Sequence, residues 1–213
     1  MKQVAIMIDA GFFKKKFQEK NSNKFPYAKH IIEFSKKCIE KDEELFRVYY
    51  YDCPPFDKEI KQPVSKTPID YSKSKAFEAA NRFQQELAKS DYIAFRKGSL
   101  SFEGWAITDG AIQDLMTASR TLVDSDFKPI FKQKRVDIKI GLDVAWLSSK
   151  RIVDRIILVA GDYDFEPVIK FARKEGIQVV LVTLNHTTVK KELREHCDIF
   201  RSVEIPTPFA PQA

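Results

Sequence analysis

Glycine is scarce in this 213-residue sequence, at 7 residues, and cysteine and histidine are scarcer still, at three each. The glycine shortage, set against 17 phenylalanines, excludes a linker-dominated, collagenous or disordered chain. Cys38, Cys53 and Cys197 are too few and too scattered for a disulfide framework, and no C-x-x-C pair is present. His30, His186 and His196 lack zinc-site spacing. His196 and Cys197 adjoin, but neighbouring helix positions point about 100° apart. No apolar run approaches the ~18 residues of a membrane-spanning helix. The short apolar stretch at the N-terminus is broken by Asp9 and followed by lysines, unlike a secretory signal. The expectation is a cytoplasmic protein with no membrane partner.

Nucleotide signatures are missing too. There is no G-x-G-x-x-G and no G-x-x-x-x-G-K-[ST], which argues against dinucleotide binding and P-loop hydrolysis. The opening IDAG lacks the second aspartate of a haloacid-dehalogenase-type phosphatase, and no serine-hydrolase elbow occurs. What is present is an ordinary globular composition, 44% hydrophobic and 31% charged. Lys and Arg number 36 against 30 Asp and Glu, for a net charge of +6. That excess permits a nucleic-acid partner without demanding one.

Gln3 to Ile8 is a short apolar run with the pattern of a strand buried on both faces. A helix is predicted at about Ala28 to Glu40 and a strand at Leu45 to Tyr51. From Asp52 to Asp70 four prolines and no periodicity indicate a long ordered loop. Lys75 to Ala88 reads as a helix. Tyr92 to Lys97 and Ser101 to Ile107, joined by Gly98, read as a β-hairpin. Asp109 to Pro129 is part helix and part loop. Further on, the pattern gives a helix at Val136 to Ser149, a strand at Arg155 to Ala160 and a helix at Asp164 to Glu175. A strand at Ile177 to Thr183, a helix at Thr187 to His196 and a strand at Ile199 to Val203 complete it. Apolar strands alternating with helices imply a three-layer α/β domain with a mainly parallel central sheet. The expected organisation is one domain over 1–205, with a proline-rich loop and hairpin insertion at about 54–126 and a tail at 206–213.

Ligands of an open parallel sheet gather beyond the carboxyl ends of its strands. Asp9 follows the first strand; Asp162, with Asp164 two residues on, follows RIILVAG. If those strands are neighbours, about 4.8 Å apart, Asp9 and Asp162 converge. On the helix from Val136, Asp143 lies about 60° from the middle of the apolar stripe and faces the body of the protein. Carboxylates gathered in this way need a cation, and an all-oxygen donor set suits Mg²⁺ or Mn²⁺. Structural alternatives stand beside each: Asp164 and Asp137 as helix N-caps, Asp143 paired with Lys139, Asp198 as a helix terminator.

Taken together these segments resemble a known family. The opening VAIMIDAGFF, the block KRVDIKIGLDVAWL and the stretch IILVAGDYDFEPVIKFARKEGIQVVLV resemble the NYN domain of the PIN-like nuclease superfamily, which includes the LabA-like proteins. The order Asp9, then Asp137 and Asp143, then Asp162 and Asp164 is similar to the family's run of acidic motifs, and LVTLNHTTVKKELREHCDIFRSV to its closing segment. The resemblance implies a PIN-like fold, a divalent-metal site and cleavage of RNA phosphodiester bonds. Carried over by position, Asp9, Asp143, Asp162 and Asp164 would be the catalytic metal ligands; Asp137 is a secondary candidate, as is Asn185, which the residue pattern places at a strand end close to the site. Where many relatives have an asparagine soon after the first aspartate, this chain has Ala10, Gly11 and Phe12, so substrate contacts there are expected to differ.

Cations surround the proposed site in sequence. Lys14, Lys15, Lys16, Lys20 and Lys24 follow Asp9, interleaved with Phe12, Phe13 and Phe17; Lys132, Lys134, Arg135 and Lys139 precede Asp143; Lys190, Lys191 and Arg194 form a third run. Bases stack on aromatic rings for ~1–3 kcal/mol each, so the first group could carry a single strand of RNA or, alternatively, DNA. The expectation is a metal-dependent ribonuclease using Mg²⁺ or Mn²⁺. The alternatives are a non-catalytic nucleic-acid-binding or regulatory module and a phosphatase or nuclease of small nucleotides. The segment Pro54 to Pro68 and the hairpin near Trp105 are places for a substrate lid or a homodimer contact.

Overall fold

The computed structural model describes residues 1–184 and 191–207. In chain order the elements are β1 (Lys2–Asp9), α1 (Ala10–Lys20), α2 (Ala28–Cys38), β2 (Glu43–Asp52), β3 (Glu59–Lys61), β4 (Pro68–Asp70), α3 (Lys75–Ala88), β5 (Ile93–Lys97), β6 (Ser99–Ile107) and α4 (Asp109–Thr117). They continue with β7 (Phe127–Lys134), α5 (Val136–Ser149), β8 (Arg155–Val159), α6 (Glu166–Lys174), β9 (Gln178–Val182), α7 (Lys191–Glu195) and β10 (Ile199–Phe200). Two compact units divide them: Met1–Asp52 with Phe83–Gly98 and the chain from Arg135 onward, and Cys53–Arg82 with Ser99–Lys134.

The first unit is built on a six-stranded sheet of order β10-β9-β8-β1-β2-β5, every pair parallel. Its strands are apolar on both faces, as a parallel sheet covered by helices on both sides requires. Val4, Ile6, Ile8, Val48, Tyr50, Ile157, Val159, Val180 and Val182 face one way, onto Phe13 and Phe17 of α1 and Ile31 and Phe34 of α2. The alternate residues, Met7, Tyr49, Tyr51, Ile156 and Leu158, are buried on the opposite face, where α5 and α6 pack with Ile140, Val144, Leu147 and Ile169. This is the expected three-layer α/β arrangement. The outer face of α5 remains apolar, with Ile138, Leu142 and Trp146 exposed.

At the amino ends of the strands, Glu43 is fully buried between two arginines. Arg155 bonds one of its oxygens, and Arg201 spans both at 2.9 Å. Three chain segments more than 40 residues apart are tied there by one carboxylate.

The second unit contains two antiparallel pairs, β3 with β4 and β6 with β7. Its core is aromatic: Phe56, Phe131, Phe102 and Tyr71 have ring centroids 4.9 to 6.3 Å apart, and Trp105 meets Phe102 edge-on. Arg120 grips Asp126 with two 2.7 Å bonds.

Two expectations are corrected here. Ile93–Lys97 and Ser99–Ile107 do not form a hairpin with one another. The first is the edge strand of the parallel sheet, beside β2, and the second pairs with β7. An edge strand is half-covered, so it alternates in polarity like one arm of a hairpin. The Asp52–Asp70 segment, expected to be a loop, contains the short β3–β4 ribbon, in which Pro68 pairs with Lys61.

Candidate active site

The strand order reverses between β1 and β8. Successive connections run outward from β1 to β2 and β5 on one side, and from β8 to β9 and β10 on the other. Such a switch point leaves a crevice at the carboxyl edge of the sheet. Ile8 pairs with Val159, so Asp9 ends β1 just where the chain leaves β8 for the turn carrying Asp162 and Asp164.

Backbone amides hold both strand-end carboxylates. Asp9 caps α1: its Oδ1 accepts from Gly11 N–H at 2.9 Å and Phe12 N–H at 3.4 Å. Asp162 caps the short 3₁₀ turn Tyr163–Phe165, its Oδ1 accepting from Asp164 N–H at 3.1 Å. In each, Oδ1 is the oxygen held by the backbone. Gly161 permits this closeness, since a Cβ there would stand 2.5 Å from the Phe12 ring.

Asp137 joins them from the first turn of α5. Burial raises its carboxyl above the ordinary 3.8, and the charges of Asp162 and Asp164 raise it further. Asp9 is pushed up to about 6, first by burial, against the opposing amide bonds, with Asp137 and Asp162 adding like charge. Asp137 does not cap its helix. That position belongs to Arg135, in the left-handed region at φ 71°.

Asp143 is engaged differently. Its Oδ2 accepts from Tyr51 O–H and Arg96 Nε, each at 2.9 Å, and its Oδ1 from the Arg96 NH2 group at 3.3 Å. Six residues along a helix turn 600°, so Asp137 and Asp143 point about 120° apart, on either side of the buried stripe. Asp137 faces the Asp162 turn, and Asp143 faces β2 and β5. Its partner is Arg96 and not Lys139, the pairing considered from sequence.

A third strand-end acid, not among the residues singled out from sequence, is Asp52. Asp52 ends β2 as Asp9 ends β1, a signal legible in LFRVYYYD, and is 2% exposed. Lys14 pairs with it at 2.5 Å and Gln84 donates to it at 3.1 Å.

The expected nucleic-acid contacts are redistributed as well. Phe13 and Phe17 are fully buried against Phe34 and His30, so neither can stack on a base; Phe12 packs under Gly161. Helical periodicity puts them on the core face, a face that lysine interleaving does not reveal. Lys14 lies over the Phe83 ring while bonded to Asp52. Lys16 pairs with Glu19, and Lys134, in the second unit, with Glu103. Lys15 and Arg135 are exposed and Lys139 half-buried. Arg194 stacks on Phe200. Asn185 and Lys190 lie outside the described residues, as does the side chain of Lys191.

The acids thus sort by charge balance. Asp52, Asp126, Asp143 and Asp198 each have a cationic partner. Among the described residues none pairs with Asp9, Asp137, Asp162 or Asp164. The neighbouring acidic charges add to the raised proton affinity of Asp9 and of Asp137, and a group of carboxylates with no cationic partner calls for a cation. Among the described residues no three such side chains already stand as a closed ligand set. The donors fit a hydrated ion such as Mg²⁺, which keeps several waters and takes few direct carboxylates.

The described residues contain no helix long and apolar enough to cross a membrane. No curated protein matches the chain. A crystal structure of a protein of unknown function from Vibrio parahaemolyticus shares the fold, with a TM-score of 0.53 at 14% identity, covering 95% of this chain and 93% of that one. The NYN domain, a PIN-like nuclease type, matches residues 4–204, from the strand that delivers Asp9 to the segment beyond β10. The match spans nearly the whole sequence, and the chain belongs to the NYN domain family.

Proposed function

We propose that this protein is a metal-dependent ribonuclease acting on single-stranded RNA. The observation that carries the reading is the group of four carboxylates gathered without a cationic partner at the switch point of an NYN sheet. Asp9, Asp162 and Asp164, with Asp137, would hold Mg²⁺ or Mn²⁺. When bound, the ion supplies charge that lowers the pKa of a water and stabilises the oxygen leaving the phosphate.

The chain's own groups do the rest. The amides of Gly11, Phe12 and Asp164 orient the Asp9 and Asp162 carboxylates before any ligand arrives. No side-chain nucleophile is required. Lys15 and Arg135, exposed in the same unit, supply positive charge for the phosphate backbone.

The test is cleavage of labelled single-stranded RNA, with a DNA control, in Mn²⁺, Mg²⁺ or EDTA, using the wild type and Asp162→Asn. Metal-dependent cutting of RNA, lost in the variant, is the expected result. Equal cutting by both proteins refutes the site. Salt-sensitive binding without any cutting refutes catalysis and leaves a binding module.

A further inference from the structure

Asp9, Tyr51 and Arg96 stand level across three adjacent strands, Asp9 opposite Tyr51 and Tyr51 opposite Arg96. In a parallel sheet, level residues point to the same face. Arg96 therefore emerges at the carboxyl edge on the same side as Asp9, two strand spacings or about 10 Å away. Its guanidinium lies over the Tyr49 ring, 5.2 Å from the centroid, and is locked in plane by both oxygens of Asp143. The buried Tyr51 hydroxyl fixes Asp143 in turn.

The pair is asymmetric in its exposure. Asp143 is 19% exposed and has every donor it needs: two on Oδ2 and one on Oδ1. Arg96 is 40% exposed and spends two of a guanidinium's five N–H groups on Asp143. Its remaining N–H groups, on a side chain 40% exposed, belong to the fixed planar fork that suits phosphate oxygens. For Asp143 to bind a metal ion it would have to release a bidentate arginine and leave the buried Tyr51 hydroxyl with only the weakly accepting Met7 sulfur, 3.2 Å away, which is costly.

We propose that Arg96 is a phosphate-binding residue of this protein and Asp143 its positioning residue, not a metal ligand. Arg96 grips the backbone of a single strand at a phosphate neighbouring the one seated at the Asp9, Asp137, Asp162 and Asp164 carboxylates. The proposal deepens the nuclease reading and rests on it for the identity of the ligand, but its test needs no catalysis.

Binding of a fluorescent single-stranded oligoribonucleotide is measured in EDTA over a salt series, and the Mn²⁺-induced shift in melting temperature is measured separately. Arg96→Ala should weaken binding by roughly ten- to a hundredfold. It should also flatten the log–log salt slope by about 0.7, the share of one phosphate on a single strand. Arg96→Lys keeps the charge without the fork, so the slope should return while affinity stays below wild type. Asp143→Asn should retain the Mn²⁺ shift that Asp162→Asn loses. A wild-type salt slope in Arg96→Ala overturns the proposal, and so does loss of the Mn²⁺ shift in Asp143→Asn, provided its far-UV spectrum is native. Absence of oligonucleotide binding by the wild type overturns this proposal, whereas the nuclease reading is refuted separately, by absence of cutting in Mn²⁺ and Mg²⁺. Salt-dependent binding with an Arg96 effect, but no cutting in Mn²⁺, refutes only the catalytic reading.

Discussion

Replacing Asp9 with asparagine should stabilise the metal-free protein, and only above a definite pH. The Asp9 carboxyl has an ordinary value of 3.8 and is raised to about 6 in the fold, chiefly by burial. At 1.36 kcal/mol per pH unit, the ionised form carries about 3 kcal/mol of destabilisation at neutral pH. The sign follows from proton counting. Between 3.8 and 6 the native state binds more protons than the unfolded chain, so stability falls as pH rises through that window and stays low above it. Asparagine has no charge to desolvate. It keeps an oxygen for the Gly11 and Phe12 amides, though weakening that cap returns up to about 1 kcal/mol.

The net gain for Asp9→Asn above pH 6.5 is therefore about 2 kcal/mol, or roughly 4–8 °C in melting temperature for a chain of this size. At pH 4 the gain should vanish. The assay is thermal and urea unfolding of both proteins in EDTA from pH 4 to pH 8. A difference that is flat across that range, or that favours the wild type above pH 6.5, refutes the argument. Adding Mn²⁺ at pH 7.5 should raise the wild type and leave the variant where it was.

Three further outcomes follow from other parts of the fold. The Mn²⁺ shift of the wild type should shrink from pH 7.5 to pH 5, because the raised Asp9 must give up a proton to the ion; titration calorimetry in two buffers would detect the release. Gly161→Ala puts a methyl 2.5 Å from the Phe12 ring and should cost about 1–3 kcal/mol by urea unfolding, part of it recovered in the double variant with Phe12→Leu. Glu43→Gln leaves Arg155 and Arg201 buried without their anion, for a loss of about 3–5 kcal/mol, at the lower end because Glu40 also reaches Arg201 at 3.1 Å. Burial alone would raise the Glu43 carboxyl, but bonds from Arg201, the Glu40 amide and Arg155 hold it at about 2. Its stabilisation is thus complete above 4.5 and is lost as pH falls from there towards 2.

Strands buried on both faces were the legible part of the sequence. QVAIMI, RIILV and QVVLV are continuous apolar runs because helices cover them above and below. The edge of the same sheet was not legible. IAFRK at β5 is half-covered and mimics a hairpin arm, and Gly98 beside it looked like the turn. FKPIFKQK at β7 is no more legible, since Pro129 interrupts it, yet in a two-stranded ribbon both strands are edges and a proline can be accommodated.

The acids divide on the same grounds. Asp9 and Asp162 could be located from strand ends alone. The choice between Asp137 and Asp143 depends on which flank of α5 meets the crevice, and that is set by packing against β2 and α6, not by any local pattern. Arg96 carried no signal at all, since its role comes from lying level with Tyr51.

The place of β1 has a consequence for how the protein is made. It is synthesised before the other strands of its sheet and lies inside the finished sheet, with β2 on one flank and β8 on the other. β2 arrives early, but the opposite flank has no partner until Arg155 to Val159 have been synthesised. Until then Val4 to Ile8, apolar and uncharged, present an open row of backbone donors and acceptors that any other extended chain can match. Recovery of folded protein on expression is accordingly governed by what happens to that flank during the long wait, through chaperone holding or slower translation. The stability of the completed domain has little bearing on it.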